Sequence, residues 1–91
     1  MEFEWDEANR LANLRKHGID FLDVSFMFEG DTLTVEDNRY DYGEQRFVTF
    51  GLLQSLVVAI VHSDRNDSIR IISARKATRY EQKIYFEEVF D

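Results

Sequence analysis

The sequence predicts an α+β fold, a four-stranded antiparallel sheet with two N-terminal helices and a C-terminal helix, and three observations carry that prediction. Helix start and stop signals occur before Gly30 and again from Thr78 onward. Between Thr32 and Ala74 the apolar spacing changes to a period of two, and the β-rich runs are separated by polar connections. The 91 residues contain no Pro, no low-complexity run and no repeat, so residues 1–91 are expected to form one domain. A chain of this length buries about 60–65% of its unfolded surface around one modest core.

The first helix is signalled at Asp6, an N-cap candidate followed by Glu7 and the helix formers of "DEANRLANLRKHG", with Gly18 as the stop. Arg15, Lys16 and His17 fall in its last turn, where cations meet the carbonyl end of the dipole. Asp20 reads as a second N-cap, and "FLDVSFMF" after it is apolar on nearly every side, as suits a short buried helix ending near Gly30. "TLTV" alternates, and "RFVTFGLL" and "LVVAIVH" form a hairpin across Gln54-Ser55, with "EDNRYDYGEQ" as the long connection before it. "SDRNDS" reads as the next turn, leading into the strand "IRIISA", in which Arg70, Ile72 and Ala74 share a face by simple alternation. "ARKA" then reads as a turn presenting Arg75 and Lys76, and the capping box Thr78-x-x-Glu81 opens the last helix. At about 100° per residue, Tyr85, Phe86, Val89 and Phe90 gather on one side of that helix and Tyr80 and Ile84 on the other. This suits a homodimer or partner interface, or burial inside the domain.

Composition excludes several classes. With 44% hydrophobic residues and eight Phe the chain has material for a core, and 32% charged residues cover the outside. There is no cysteine, so neither a disulfide framework nor a thiolate metal site can form. Asp37, Asp41 and Glu44 lack the spacing of a calcium loop and only His17 and His62 are present, so no metal or cofactor is expected. The start "MEFEWDEANR" lacks a signal-peptide pattern and the longest apolar run, Leu56 to Val61, is too short to span a bilayer; a soluble cytoplasmic protein is expected.

A formal charge of -7 and a pI near 4.7 argue against general coating of nucleic acid and favour a basic protein partner. Charge is also segregated. Residues 20 to 44 carry eight acids against Arg39 alone, either a solvated face or a docking surface. The stretch from Ile69 to Tyr85 instead holds Arg70, Arg75, Lys76, Arg79 and Lys83 against Glu81. Metal-free RNA cleavage needs a group to take the 2'-hydroxyl proton, charge to hold the phosphorane, and a proton for the leaving 5'-oxygen. Arginine suits the second task, because its planar fork donates two parallel hydrogen bonds to phosphate and keeps its charge. Lys16 or His17 could move a proton, and Tyr40, Tyr42 and Tyr85 could stack on bases. Each also has a structural reading: Arg70 paired with a cross-strand acid, Lys16 and His17 as helix caps, Tyr85 as core.

The segments "FEWD", Asn13 with "KHGIDF", "RYDYGEQRF" and "IRIISARKATRYEQKIY" resemble the BrnT family of type II toxin-antitoxin systems, from Phe3 to Tyr85. The resemblance implies a RelE-like fold and a ribonuclease toxin that arrests growth by cutting RNA. It implies a cognate antitoxin with a ribbon-helix-helix DNA-binding domain, through which alone operator DNA is contacted. Carried over by motif, Lys16, His17, Arg46, Arg70 and Arg75 are the expected catalytic residues, and Lys76, Arg79 and Tyr85 the expected RNA contacts. The chain departs from the pattern at Asn9 and Tyr80, where relatives often have Lys and Arg. The alternative is a catalytically weak or inactive homologue that serves as an antitoxin-binding module.

Overall fold

Local signals set the helix ends as the sequence predicts. In the computed structural model, which describes residues 2–90, strand β1 (Glu2–Glu4) leads into helix α1 (Glu7–His17). Asp6 caps α1 by accepting the Asn9 backbone N–H at 2.9 Å. Gly18 ends it at φ 73°, a left-handed conformation that glycine adopts without steric cost, and its N–H donates to the Leu14 carbonyl. Asp20 caps α2 (Phe21–Val24), which tightens into a 3-10 turn over Ser25–Glu29. Helix α3 (Arg79–Phe90) starts on the predicted capping box: Thr78 Oγ1 accepts the Glu81 N–H, and Glu81 Oε1 accepts the Thr78 N–H.

The sheet differs from the expectation in three ways. It has five strands, not four, adding β2 (Leu33–Asp37), β3 (Arg46–Leu53), β4 (Leu56–Arg65) and β5 (Ser68–Lys76) to β1 in the order β1-β5-β4-β3-β2. The sheet is mixed, because β1 pairs parallel with β5, Phe3 opposite Ile69. A three-residue strand is too short for a period to be read, and its partner lies at the far end of the chain. Secondly, β4 and β5 outrun their predicted ends, so the turn shrinks to Asn66-Asp67, and Arg75 and Lys76 are strand residues rather than a turn. Ladder pairing of Ala59 with Arg75 and of Val58 with Lys76 overrides their polar character.

Thirdly, β5 carries a bulge. His62 pairs with Ile71 and Val61 with Ser73, so Ile72 is the extra residue. The alternation resets there: Ile69, Ile71 and Ala74 join one core, while Arg70 and Arg75 lie together on the opposite face, unlike the simple alternation that joined Arg70 to Ala74. The first face is covered by α2 and the 3-10 turn through Phe21, Val24 and Met27, packed on Val58, Ile60 and Ile71. The second is partly covered by α3, whose Tyr85 and Val89 meet Val48, Phe50, Val57 and Ala59.

Beyond Glu4, β5 loses its parallel partner, and α1 takes over its edge. Asn9 donates to the bulge carbonyl of Ile72 at 2.7 Å. Asn13, buried, donates to Ala74 O at 2.9 Å and to Ile19 O at 3.1 Å, and accepts the Ala74 N–H at 3.2 Å. One side-chain amide thus pairs both backbone groups of Ala74 as a neighbouring strand would. Asn13→Ala is expected to cost about 2–4 kcal/mol, because it strands buried backbone groups; urea unfolding measures it, with an unchanged m-value expected.

A polar chain crosses the first core: the buried His62 bonds Asp64 Oδ1 through Nδ1 at 2.9 Å and Thr49 Oγ1 through Nε2 at 2.7 Å, and Thr49 Oγ1 lies 2.8 Å from Thr34 Oγ1. Burial lowers the His62 pKa from 6.5, outweighing Asp64, so the ring is neutral; Nδ1–H donates to Asp64 and Nε2 accepts from Thr49. Its contribution to stability is complete above pH 6.5 and is lost as pH falls through the lower folded value. Two carboxylates, Asp37 and Glu81, are held at about 2 against ordinary values of 3.8 and 4.5, and their contribution disappears as pH falls toward 2. Stability is therefore expected to decline in two stages below neutrality, and denaturant titrations of His62→Gln should lack the first.

Candidate functional site

Cross-strand register sets side chains in rows on the α3 face. Asp37 pairs with Arg46, Ser63 with Arg70, and Glu4 with Arg70. Continuing the β3–β4 register one residue past Phe47↔His62 places Arg46 opposite Ser63. The result is a single row across the sheet: Asp37, Arg46, Ser63, Arg70, Glu4. The following rows are Val35–Val48–Val61–Ser73 and Leu33–Phe50–Ala59–Arg75, about 6.7 Å and 13 Å further along. Tyr85 and Val89 of α3 close over the far end, and Arg46 and Arg70 keep 26% and 36% of their side-chain surface exposed.

The arginines of the row are held loosely. Glu4 Oε1 lies 4.0 Å from Arg70 Nη1 and 3.9 Å from Arg65 Nη1; Glu44 lies 3.6 Å from Arg65 Nη2 and 3.5 Å from Arg46 Nε. These separations exceed ordinary hydrogen-bond distance. Arg46 Nε and the hydroxyl of Ser63 are buried and have no hydrogen-bond partner among the described residues. The Arg46 guanidinium sits 4.1 Å from the centroid of the Tyr42 ring, and the Tyr42 hydroxyl donates to Asp37 at 3.1 Å, so the aromatic ring orients the cation.

Two other arginines are committed. Arg75 forks onto Glu81 at 2.8 and 3.0 Å, raising its own pKa while holding Glu81 at about 2. Arg39 forks onto the buried Asp37 at 2.9 and 3.0 Å. Asp37 therefore belongs to the site's framework rather than to a solvated acidic run.

Of the residues expected from the sequence, Arg46 and Arg70 come together, and Arg75 shares their face two rows away. Lys76 pairs with Val58, which places it on the opposite face. Lys16 and His17 end the exposed last turn of α1 and make no ion pair among the described residues; α1 runs in the direction of β5, from Ile72 toward Lys76, so they lie at that corner rather than in the row. Arg79 is exposed in the first turn of α3. Tyr85 is 0% exposed and its hydroxyl donates to the Asp31 carbonyl at 2.7 Å, which makes it a core residue out of reach of RNA. Sequence reasoning missed Glu4, Glu44, Ser63 and Arg65 as members of the site. Ser63 and Arg65 read as turn and Glu4 enters only through parallel pairing, so no local signal points to them, whereas Glu44 lies two residues from Arg46 and its spacing could have paired them.

Among the described residues no group of three or more His, Asp or Glu side chains is placed to hold a metal ion, and no helix is long and apolar enough to cross a membrane. Fold and row together define a small α+β protein with an arginine-rich, anion-ready sheet face beside its C-terminal helix. Residues 5–81 match the family described as "Ribonuclease toxin, BrnT, of type II toxin-antitoxin system", and the chain belongs to that family. An antitoxin partner follows from that membership. No curated protein matches the chain significantly.

Proposed function

We propose that this protein is a metal-independent endoribonuclease toxin whose active face is the Arg46–Ser63–Arg70 row. The observation that carries the reading is that three donors from adjacent strands lie side by side without strong intramolecular partners. Arg46 and Arg70 hold the scissile phosphate and the charge that builds on it when the 2'-hydroxyl attacks; Arg65 extends the field. Glu4 and Glu44, each set between two arginines, are the carboxylates near enough to take the 2'-hydroxyl proton. The carboxylic acid so formed returns it to the leaving 5'-oxygen as the P–O5' bond breaks. Arg79 contacts RNA backbone at the margin of this face, and Lys16, His17 and Lys76 do so only where the RNA strand runs on round the β5 corner.

The antitoxin, a ribbon-helix-helix protein that itself contacts operator DNA, covers the row in the cytoplasm. The exposed Tyr80, Phe86 and Phe90 of α3 serve the interface with it or between two toxin copies in the complex. A second reading, a weak or inactive homologue acting as an antitoxin-binding module, draws on the acids Glu4 and Glu44 that partly neutralise the row. Induced expression without the antitoxin separates the two. Growth arrest with RNA decay, lost in Arg70→Ala and Arg46→Ala, supports the enzyme; harmless wild-type expression supports the module.

A further inference from the structure

Beside the row, between the end of β2, the loop after it and the first turn of α3, lies a cleft of about 240 Å³. Its floor is apolar, built from Val35, Val48 and Phe50, and Arg39 and Arg75 stand at its rim. Val35 and Val48 form the row next to Asp37 and Arg46, so the floor begins about 6.7 Å from the phosphate row.

The chemistry of the rim selects the occupant. Each arginine spends one of its two donor edges on a carboxylate, Arg39 Nε and Nη2 on Asp37 and Arg75 Nη1 and Nη2 on Glu81, and each charge is thereby matched before a phosphate arrives. Arg39 and Arg75 both line the cleft. With their charges matched, what they offer a ligand is chiefly a planar face, that of Arg39 being shared with Tyr40, whose ring centroid lies 5.8 Å away. Guanidinium planes stack on aromatic heterocycles, and an apolar floor removes water from the other side of such a ring.

We propose that this cleft is a nucleobase slot, taking the base of a nucleotide whose phosphate rests on the Arg46–Arg70 row, and holding purines more tightly than pyrimidines through their larger stacking face. The slot rests on the ribonuclease reading only for the place of that phosphate.

The test is methyl NMR of the full chain titrated with adenosine 3'-monophosphate, uridine 3'-monophosphate and inorganic phosphate. The adenosine ligand is expected to shift the Val35 and Val48 methyls and to bind about 5- to 150-fold tighter than inorganic phosphate, the span set by stacking one base. Phosphate alone should leave those methyls unmoved. Val35→Trp, which fills the slot from an exposed position on the edge strand, should abolish the advantage of the nucleotide. Equal affinity for adenosine 3'-monophosphate and phosphate, absence of nucleotide binding, or valine methyls that do not respond would overturn the slot. The ribonuclease reading is judged separately: RNA left intact by the wild type sinks that reading, while valine shifts with the nucleotide would keep the slot.

Discussion

Arg70→Ala is expected to reduce kcat for RNA cleavage by about 10²–10³-fold, the usual loss when one preorganised donor to a developing anion is removed. Arg46→Ala should do the same, because the two side chains flank Ser63 in one row and, on the proposed reading, share one phosphate. Lysine is a poor substitute at either position: it keeps the charge but loses the fork that meets two phosphate oxygens. Single-turnover cleavage of a defined oligonucleotide by purified protein gives the rate, and circular dichroism checks that the variants fold. Binding adds a second readout. With three phosphates engaged, the slope of log K against log salt should be about -2 for single-stranded RNA, and each lost arginine should flatten it by about 0.7. Cleavage by both alanine variants at the wild-type rate would remove the row from the mechanism and leave the module reading.

Tyr85→Ala is expected to destabilise the fold by about 3–5 kcal/mol, the range for emptying a large aromatic site in a core. The side chain is fully buried between α3 and the sheet, with edge-on contacts to Phe86 and Phe90. Tyr85→Phe keeps the ring and removes only the hydroxyl that donates to Asp31, so about 1 kcal/mol is lost. The pair also distinguishes structure from catalysis. Tyr85→Phe should cleave RNA as the wild type does, since its hydroxyl faces a backbone carbonyl and not the row. A Tyr85→Phe protein of normal stability but without activity would restore Tyr85 as an RNA contact.

How much of the site was legible in the sequence depends on the range of the interaction that forms it. The Thr78–Glu81 box could be read because both partners lie within one helical turn; what that reading omitted is that Glu81 also binds Arg75 and so ties α3 to β5. Arg70 could be nominated from its basic neighbours, but its companions Arg46, Ser63 and Glu4 come from three other strands. The Lys16–His17 pair shows the converse case, a sequence-adjacent pair that the fold sets apart from the row. The two are conspicuous in the chain and belong to the resemblance to the family, yet the helix that bears them packs along the β5 edge through Asn9 and Asn13, away from the row.

The sequence by itself determined what is local: the caps at Asp6, Gly18 and Asp20, the hairpin over Gln54-Ser55, the last helix, and the contrast between an acidic chain and a basic segment. It also sufficed for the family. The tertiary structure alone decided the fifth strand and which side chains share a face. The reason is parity: in a strand every residue changes sides, so the single extra residue at Ile72 turns Arg75 onto the face of Arg70 and sends Lys76 to the other. That bulge is held on one side by the hairpin partner β4 and on the other by Asn9, 63 residues away in the chain, and no window of neighbouring residues contains both.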